Sequence, residues 1–259
     1  MSTRILGSLS ALVRWVHASV LSAPEIAGSL FASVSAPMPQ RPLDQISPIE
    51  IAFIVTFLVI SLGLHEAAHA WVANECGDST AKDLGRITVN PIAHIDPVLT
   101  IILPLVLILL HLPAFGGAKP VPVDYHRLRH PLRDMMLVAL AGPATNFALA
   151  FVFFLGWKCA VYVGHYDPDA LLPNVLFHSL NFNVMLAVFN MLPIPPLDGS
   201  RVMTWLLPAP IRAGYQSLER IGLFLVIAVM RFVPGVDELV YSSMTQVGRF
   251  IDLSTGGVW

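Results

Sequence analysis

Fourteen residues without a charge, Ile51 to Leu64, run directly into two histidines and a glutamate in the stretch LVISLGLHEAAHAWV. No other feature constrains the fold as strongly. A lipid-facing segment must satisfy its own backbone polar groups, so an uninterrupted apolar run of this kind is expected to be helical. His65, Glu66 and His69 then arrive within about one helical turn. Ionisable groups at membrane depth are costly, and by default they mark a functional site.

The rest of the chain has the same character. Of its 259 residues, 55% are hydrophobic and 12% charged, where soluble domains carry about 25% charge. The mean hydropathy is +0.69, as in a polytopic membrane protein. The net charge of −2 comes with no basic run, which argues against nucleic acid as a partner. Cys76 and Cys159 lack a paired spacing, so neither a disulfide framework nor a thiolate metal site is expected.

Residues 1–48 read as an N-terminal arm. Arg4 precedes an apolar run, but Arg14 interrupts it and no small-x-small cleavage site follows, unlike a signal peptide. Ile5, Leu9, Leu12, Val13, Val16 and Val20 recur at helical spacing, as in a helix lying in the membrane interface. A merely packed or poorly ordered arm fits equally well. Pro37, Pro39 and Pro42 form a linker. Apolar stretches follow at about 49–73, 98–112, 135–163, 174–194 and 218–233, and an amphipathic segment at about 236–252. A spanning helix needs about 20 apolar residues. The first, third and fourth stretches meet that length; the second is short, with Pro104 at its middle, and the fifth is shorter than the rest. The expected fold is therefore all-α and polytopic, with about five to six membrane segments. Residues 49–259 read as a single membrane domain.

Orientation follows from lysines and arginines in short loops. The loop at 113–134 holds Lys119, Arg127, Arg129 and Arg133, whereas 164–173 holds none. The first is expected on the cytoplasmic side and the second outside; Arg201 and Arg212 place 195–217 with the first. If 98–112 crossed fully, the His/Glu cluster and the basic loop would fall on opposite sides. A re-entrant hairpin around Pro104 brings both to the cytoplasmic side. GAKPVPVDY alternates prolines with valines, which favours an extended, β-like loop there. Such an edge could add a substrate strand or simply dip into the interface.

His65 and His69 are spaced i, i+4 and share one helix face. That spacing suits two imidazoles on one Zn²⁺, with Glu66 beside the open position as general base. A catalytic zinc usually has three protein ligands. The soluble extension HExxHxxGxxH fails, because Val72 and Glu75 stand where it needs Gly and His. Glu75 is a possible ligand, but Val72 gives no support for the turn it would need. The better candidate is Asp198 in NMLPIPPLDGSR, where Pro193, Pro195 and Pro196 cannot continue a regular helix. Gly199 then permits a turn aiming the carboxylate inward, although an ordinary capping turn explains the pattern as well. Asn146 follows Pro143 inside an apolar stretch, where interhelical packing beside small residues is one role. His94, next to Asp96, reads more simply as a satisfied histidine than as a site residue.

HEAAH at 65–69, GPATN at 142–146 and NMLPIPPLDG at 190–199 together resemble the site-2 protease family of intramembrane zinc metalloproteases. NPIAHIDP at 90–97 and GAKPVPV at 117–123 look like its short prokaryotic branch, without peptide-binding or nucleotide-binding regulatory domains. The match runs in order from about residue 49 to 205. The resemblance implies His65, His69 and Asp198 as ligands of one Zn²⁺ per chain and Glu66 as catalytic base. It makes Asn146 a catalytic candidate, positioning substrate or stabilising the oxyanion. It also implies a transmembrane protein substrate, cleaved within or next to its span, and a multi-pass protein of the cell membrane with its site nearer the cytoplasm.

Other readings compete. A zinc transporter would also carry histidines and aspartates in its spans, but further ligands along a pathway would be expected. A catalytically dead scaffold would be expected to lack a motif residue. A tethered peptidase for soluble substrates would be expected to have a polar catalytic domain.

Overall fold

The computed structural model describes residues 47–103, 106, 109 and 117–254. The expectation for residues 1–46 and the break at Pro104 lie outside the described residues. Among those described, regular structure is entirely helical, with no β-strand.

Helix α1 spans Pro48–Glu75. A capping box starts it: the Glu50 amide donates to Ser47 Oγ at 3.3 Å, and the Ser47 amide donates to Glu50 Oε2 at 2.7 Å. Pro48 follows at the first position, where a missing N–H costs nothing. After α1 come the short α2 (Thr80–Asp83), a 3₁₀ turn at Pro91–His94 and a π-helical turn at Pro97–Ile102. Helix α3 (Pro131–Lys158) extends through a π-helical turn at Cys159–Val163, and α4 spans Leu171–Asn190. The chain closes with α5 (Gly199–Leu206), α6 (Ala209–Ser217), a 3₁₀ turn at Leu218–Ile221, α7 (Gly222–Phe232) and α8 (Val236–Ser254).

Four helical segments among the described residues are long and apolar enough to cross a membrane: Pro48–Glu75, Pro131–Val163, Leu171–Asn190 and Ala209–Met230. The first three form the packed centre. In the fourth, 11% of the most apolar stretch is buried, against 28–44% in the others, so it lies at the periphery. Side-chain pairings fix the directions. His65 meets Asn146 and His69 meets Val138, so α1 and α3 are antiparallel. Glu50 meets Asn174 and Ser61 meets Asn183, so α1 and α4 are parallel. Ala70, Ala73 and Ala150 are fully buried; small residues allow this close approach.

The last apolar stretch differs most from its sequence reading. The helical segment begins at Ala209 rather than near 218, because its polar first half is tied down. Tyr215 donates its hydroxyl to the Pro193 carbonyl at 2.8 Å, and Arg201 forms an ion pair with Glu219. The 117–124 segment is neither helix nor paired strand. It forms a strap held by scattered contacts, with prolines at 120 and 122 removing the N–H groups a strand ladder would use.

Candidate metal centre

The i, i+4 histidines sit on the buried face of α1, and α3 backs them. His69 Nδ1 lies 2.7 Å from the Val138 carbonyl oxygen. A carbonyl can only accept, so this contact places the ring proton on Nδ1 and leaves the Nε2 lone pair free. The two Nε2 atoms are 3.0 Å apart. Gly142 makes room for them: a Cβ there would stand 2.4 Å from His69 Nε2 and 2.6 Å from His65 Nε2. No residue with a side chain fits at that point.

Asp198 reaches the same place from the end of α4. The prolines stop α4 at Asn190, and the chain turns back so tightly that a Cβ on Gly199 would sit 2.2 Å from the Met191 carbonyl oxygen. Asp198 Oδ2 is thereby placed 3.3 Å from His65 Nε2 and 3.4 Å from His69 Nε2. It is buried and lacks a well-formed hydrogen bond.

These three atoms fit zinc. Ligand atoms about 2.0–2.1 Å from a common tetrahedral centre lie roughly 3.3 Å from one another. The observed edges, 3.0, 3.3 and 3.4 Å, are close to that triangle. A buried carboxylate oxygen facing two imidazole nitrogens is also a donor set that a divalent cation would complete. Glu66 joins the histidines in a group whose ligand atoms all lie within 4.8 Å of one another.

The centre opens into a cavity of about 350 Å³. Apolar side chains, among them Leu62, Leu99, Leu103 and Val226, line it together with Asn190, Arg201 and Glu219. The strap forms a further wall. Its Val121 amide donates to Glu66 Oε2 at 3.1 Å.

Sequence reasoning had no signal for what holds the strap. Arg86, 8% exposed, donates to the Ala93 carbonyl, to Lys119 O at 2.7 Å and to Pro120 O at 3.2 Å. Lys119 N donates to His94 O at 2.7 Å, and Gly117 N to Leu99 O at 3.1 Å. His94 is buried beneath α1, with Nε2 bonded to Thr88 O at 3.1 Å, as a packed histidine. Glu75 is exposed at the end of α1 and outside the cluster. Asn146 is fully buried behind His65, with Nδ2 3.1 Å from His65 Nδ1 and no place in the cavity wall.

Known proteins similar to this chain share one kind of name. A Bacillus subtilis protein provisionally named zinc metalloprotease YwhC is 38% identical over 203 residues, covering 76% of this chain and 87% of its own length. A Mycolicibacterium smegmatis protein provisionally named zinc metalloprotease Rip2 is 32% identical over 210 residues, or 78% of this chain and 75% of its own length. A shorter match, 47% over 68 residues, joins 26% of this chain to 32% of the similarly named MJ0611 of Methanocaldococcus jannaschii. No protein-family model matches the chain, and no solved structure does.

Proposed function

The chain belongs to the site-2 protease family of zinc metalloproteases, and on that premise we propose that it hydrolyses a peptide bond within or next to a transmembrane segment of a membrane protein. The convergence of His65, His69 and Asp198 beside Glu66, at the end of a long apolar helix, carries this reading.

His65 Nε2, His69 Nε2 and Asp198 Oδ2 would hold one zinc per chain. Bound there, zinc polarises a carbonyl oxygen and lowers the pKa of a water to about 7. Glu66 takes the proton from the attacking water and delivers it to the leaving amine. The Val121 amide holds Glu66 Oε2, which leaves Oε1 to face the water. Leu62, Leu99, Leu103 and Val226 keep bulk water away from the substrate.

A peptide bond must leave its helix before it can be attacked. The strap lies along the cavity and offers backbone to an unwound segment. With prolines at 120 and 122, pairing on that edge rests on substrate N–H groups donating to strap carbonyls. The protein is multi-pass in the cell membrane, and residues 49–259 form its protease domain. The basic residues of the loops at 113–134 and 195–217 support a site nearer the cytoplasm.

Two variants test this: Glu66→Gln and Asp198→Ala, assayed for zinc content and for cleavage of tagged single-span membrane proteins in liposomes. Glu66→Gln should keep zinc and lose about 10²–10⁴-fold in cleavage. Asp198→Ala should lose both. Unchanged zinc in Asp198→Ala would overturn the ligand set. Full cleavage by Glu66→Gln would overturn the base, and zinc flux surviving in that variant without any cleavage would favour a transporter.

A further inference from the structure

One face of α3 carries three positions four residues apart, each touching a histidine of α1. Val138 offers its carbonyl to His69 Nδ1, Gly142 leaves the space both rings occupy, and Asn146 meets His65 Nδ1. The two helices are antiparallel, so the i, i+4 pair on α1 falls in register with the i, i+4, i+8 series on α3. We infer that Asn146 is a positioning residue for His65, holding the Nδ1 side of the ring so that Nε2 faces His69 and Asp198. The inference rests on the zinc site proposed above and gives Asn146 a different task from binding substrate or an oxyanion.

Placement supports this over a role at the reacting carbonyl. Asn146 is fully buried and the His65 ring stands between it and Asp198. A carboxamide can face Nδ1 with either end, as donor or as acceptor. With Nδ2 toward the ring it donates to a deprotonated Nδ1, and Oδ1 is left buried without a partner. A half-turn about the last side-chain bond presents Oδ1, which accepts from a protonated Nδ1. A histidine that ligates through Nε2 carries its proton on Nδ1 and needs such an acceptor. Asn146 therefore steadies the ring in both forms, whereas Val138, a fixed carbonyl, serves one tautomer of His69.

Zinc affinity tests the assignment without any substrate. Wild type, Asn146→Leu, Asn146→Asp and His65→Ala would be titrated in detergent against a chromophoric zinc chelator. Loss of a partner to a metal-bound histidine typically weakens binding about 10–100-fold, and that loss is expected for Asn146→Leu. Asn146→Asp, which keeps an acceptor for the Nδ1 proton, should bind within about threefold of wild type or more tightly. A role in packing alone reverses the order, since leucine suits an apolar interior and aspartate does not. Should the leucine variant not fold, Asn146→Ala is read in the same way. Wild-type affinity in Asn146→Leu, or equal losses in both variants, would overturn the inference. His65→Ala separates this from failure of the underlying site: if it keeps zinc, the site itself is wrong. If it loses zinc while Asn146→Leu does not, the positioning role alone falls.

Discussion

His69 Nδ1 lies 2.7 Å from the carbonyl oxygen of Val138, one α3 turn before the glycine that both imidazoles need. The carbonyl fixes the ring's tautomer, and the glycine fixes how closely the two helices approach. Gly142→Ala should therefore do what an exposed glycine-to-alanine change never does. Its Cβ would stand 2.4–2.6 Å from imidazole atoms, and both rings would have to move. Misplacing one ligand's support costs about 10–100-fold in metal affinity, so displacing two rings should cost at least the upper figure. Chelator competition measures it. Zinc affinity within a few-fold of wild type would show that the rings are not held where the structure puts them.

The strap's far end depends on a buried carboxylate. Asp78 is completely buried. It accepts from the Thr80 amide at 3.0 Å, the Thr80 hydroxyl at 2.5 Å and the Asp124 amide at 2.7 Å. Burial alone would raise its pKa. The Thr80 and Asp124 hydrogen bonds, with the charge of Arg127, outweigh burial and hold the group below its ordinary value of 3.8. A carboxyl depressed in the folded state adds stability that is complete above its unfolded pKa and is lost as pH falls through the folded one. Asp78→Asn should cost roughly 1–3 kcal/mol near neutral pH. In melts of zinc-free protein, its difference from wild type should close below about pH 4. A difference that stays constant down to pH 3 would contradict the sign of the shift.

Arg86 holds the strap's near end by a planar fork that lysine cannot copy, with three backbone carbonyls taking its protons. The residue after its last acceptor, Val121, is the one that reaches Glu66. Arg86→Lys should lower stability by about 2 kcal/mol or more. It should reduce cleavage about tenfold or more through the displaced strap, while zinc content stays at the wild-type level. Equal cleavage rates for the two proteins would mean that the strap does not depend on this anchor.

The parts legible in the sequence were those whose signal is local. His65 and His69 declare a shared helix face by spacing, and Pro193, Pro195 and Pro196 end α4 wherever it lies. The apolar stretches marked three of the four long helices to within a few residues. The fourth began earlier than its apolar run because Tyr215 and Arg201 fasten a polar stretch to the proline turn, a tertiary effect without a local pattern. The surroundings of the metal centre were hidden for the same reason. Nothing in GPATN says that Asn146 faces the outer nitrogen of His65 rather than a substrate, and nothing near Arg86 names carbonyls more than thirty residues away. Likewise, Ser61, Asn174 and Asn183 read as isolated polar residues in apolar helices until the helices are paired.

Those polar residues form two rungs between α1 and α4, and the rungs should differ in strength. Asn183 Nδ2 donates to Ser61 Oγ at 3.0 Å, a neutral pair. Asn174 Nδ2 donates to the Glu50 carboxylate at 2.9 Å, with both residues almost wholly buried. Hydrogen bonds between helices in a bilayer average about 0.6 kcal/mol, and leucine in place of asparagine gains apolar packing. Asn183→Leu should therefore be close to neutral in stability. Asn174→Leu leaves a buried carboxylate one donor short, which costs about 1.5–3 kcal/mol for a charged group. Glu50→Gln should recover part of that loss in the double variant, because the group left short of a donor is then uncharged. Denaturant titration in mixed micelles would compare the three. Similar losses for Asn183→Leu and Asn174→Leu, or no recovery with Glu50→Gln, would mean that both rungs act by packing alone. The parallel α1/α4 pairing that brings Asp198 to the histidines would then rest on the small residues between the helices.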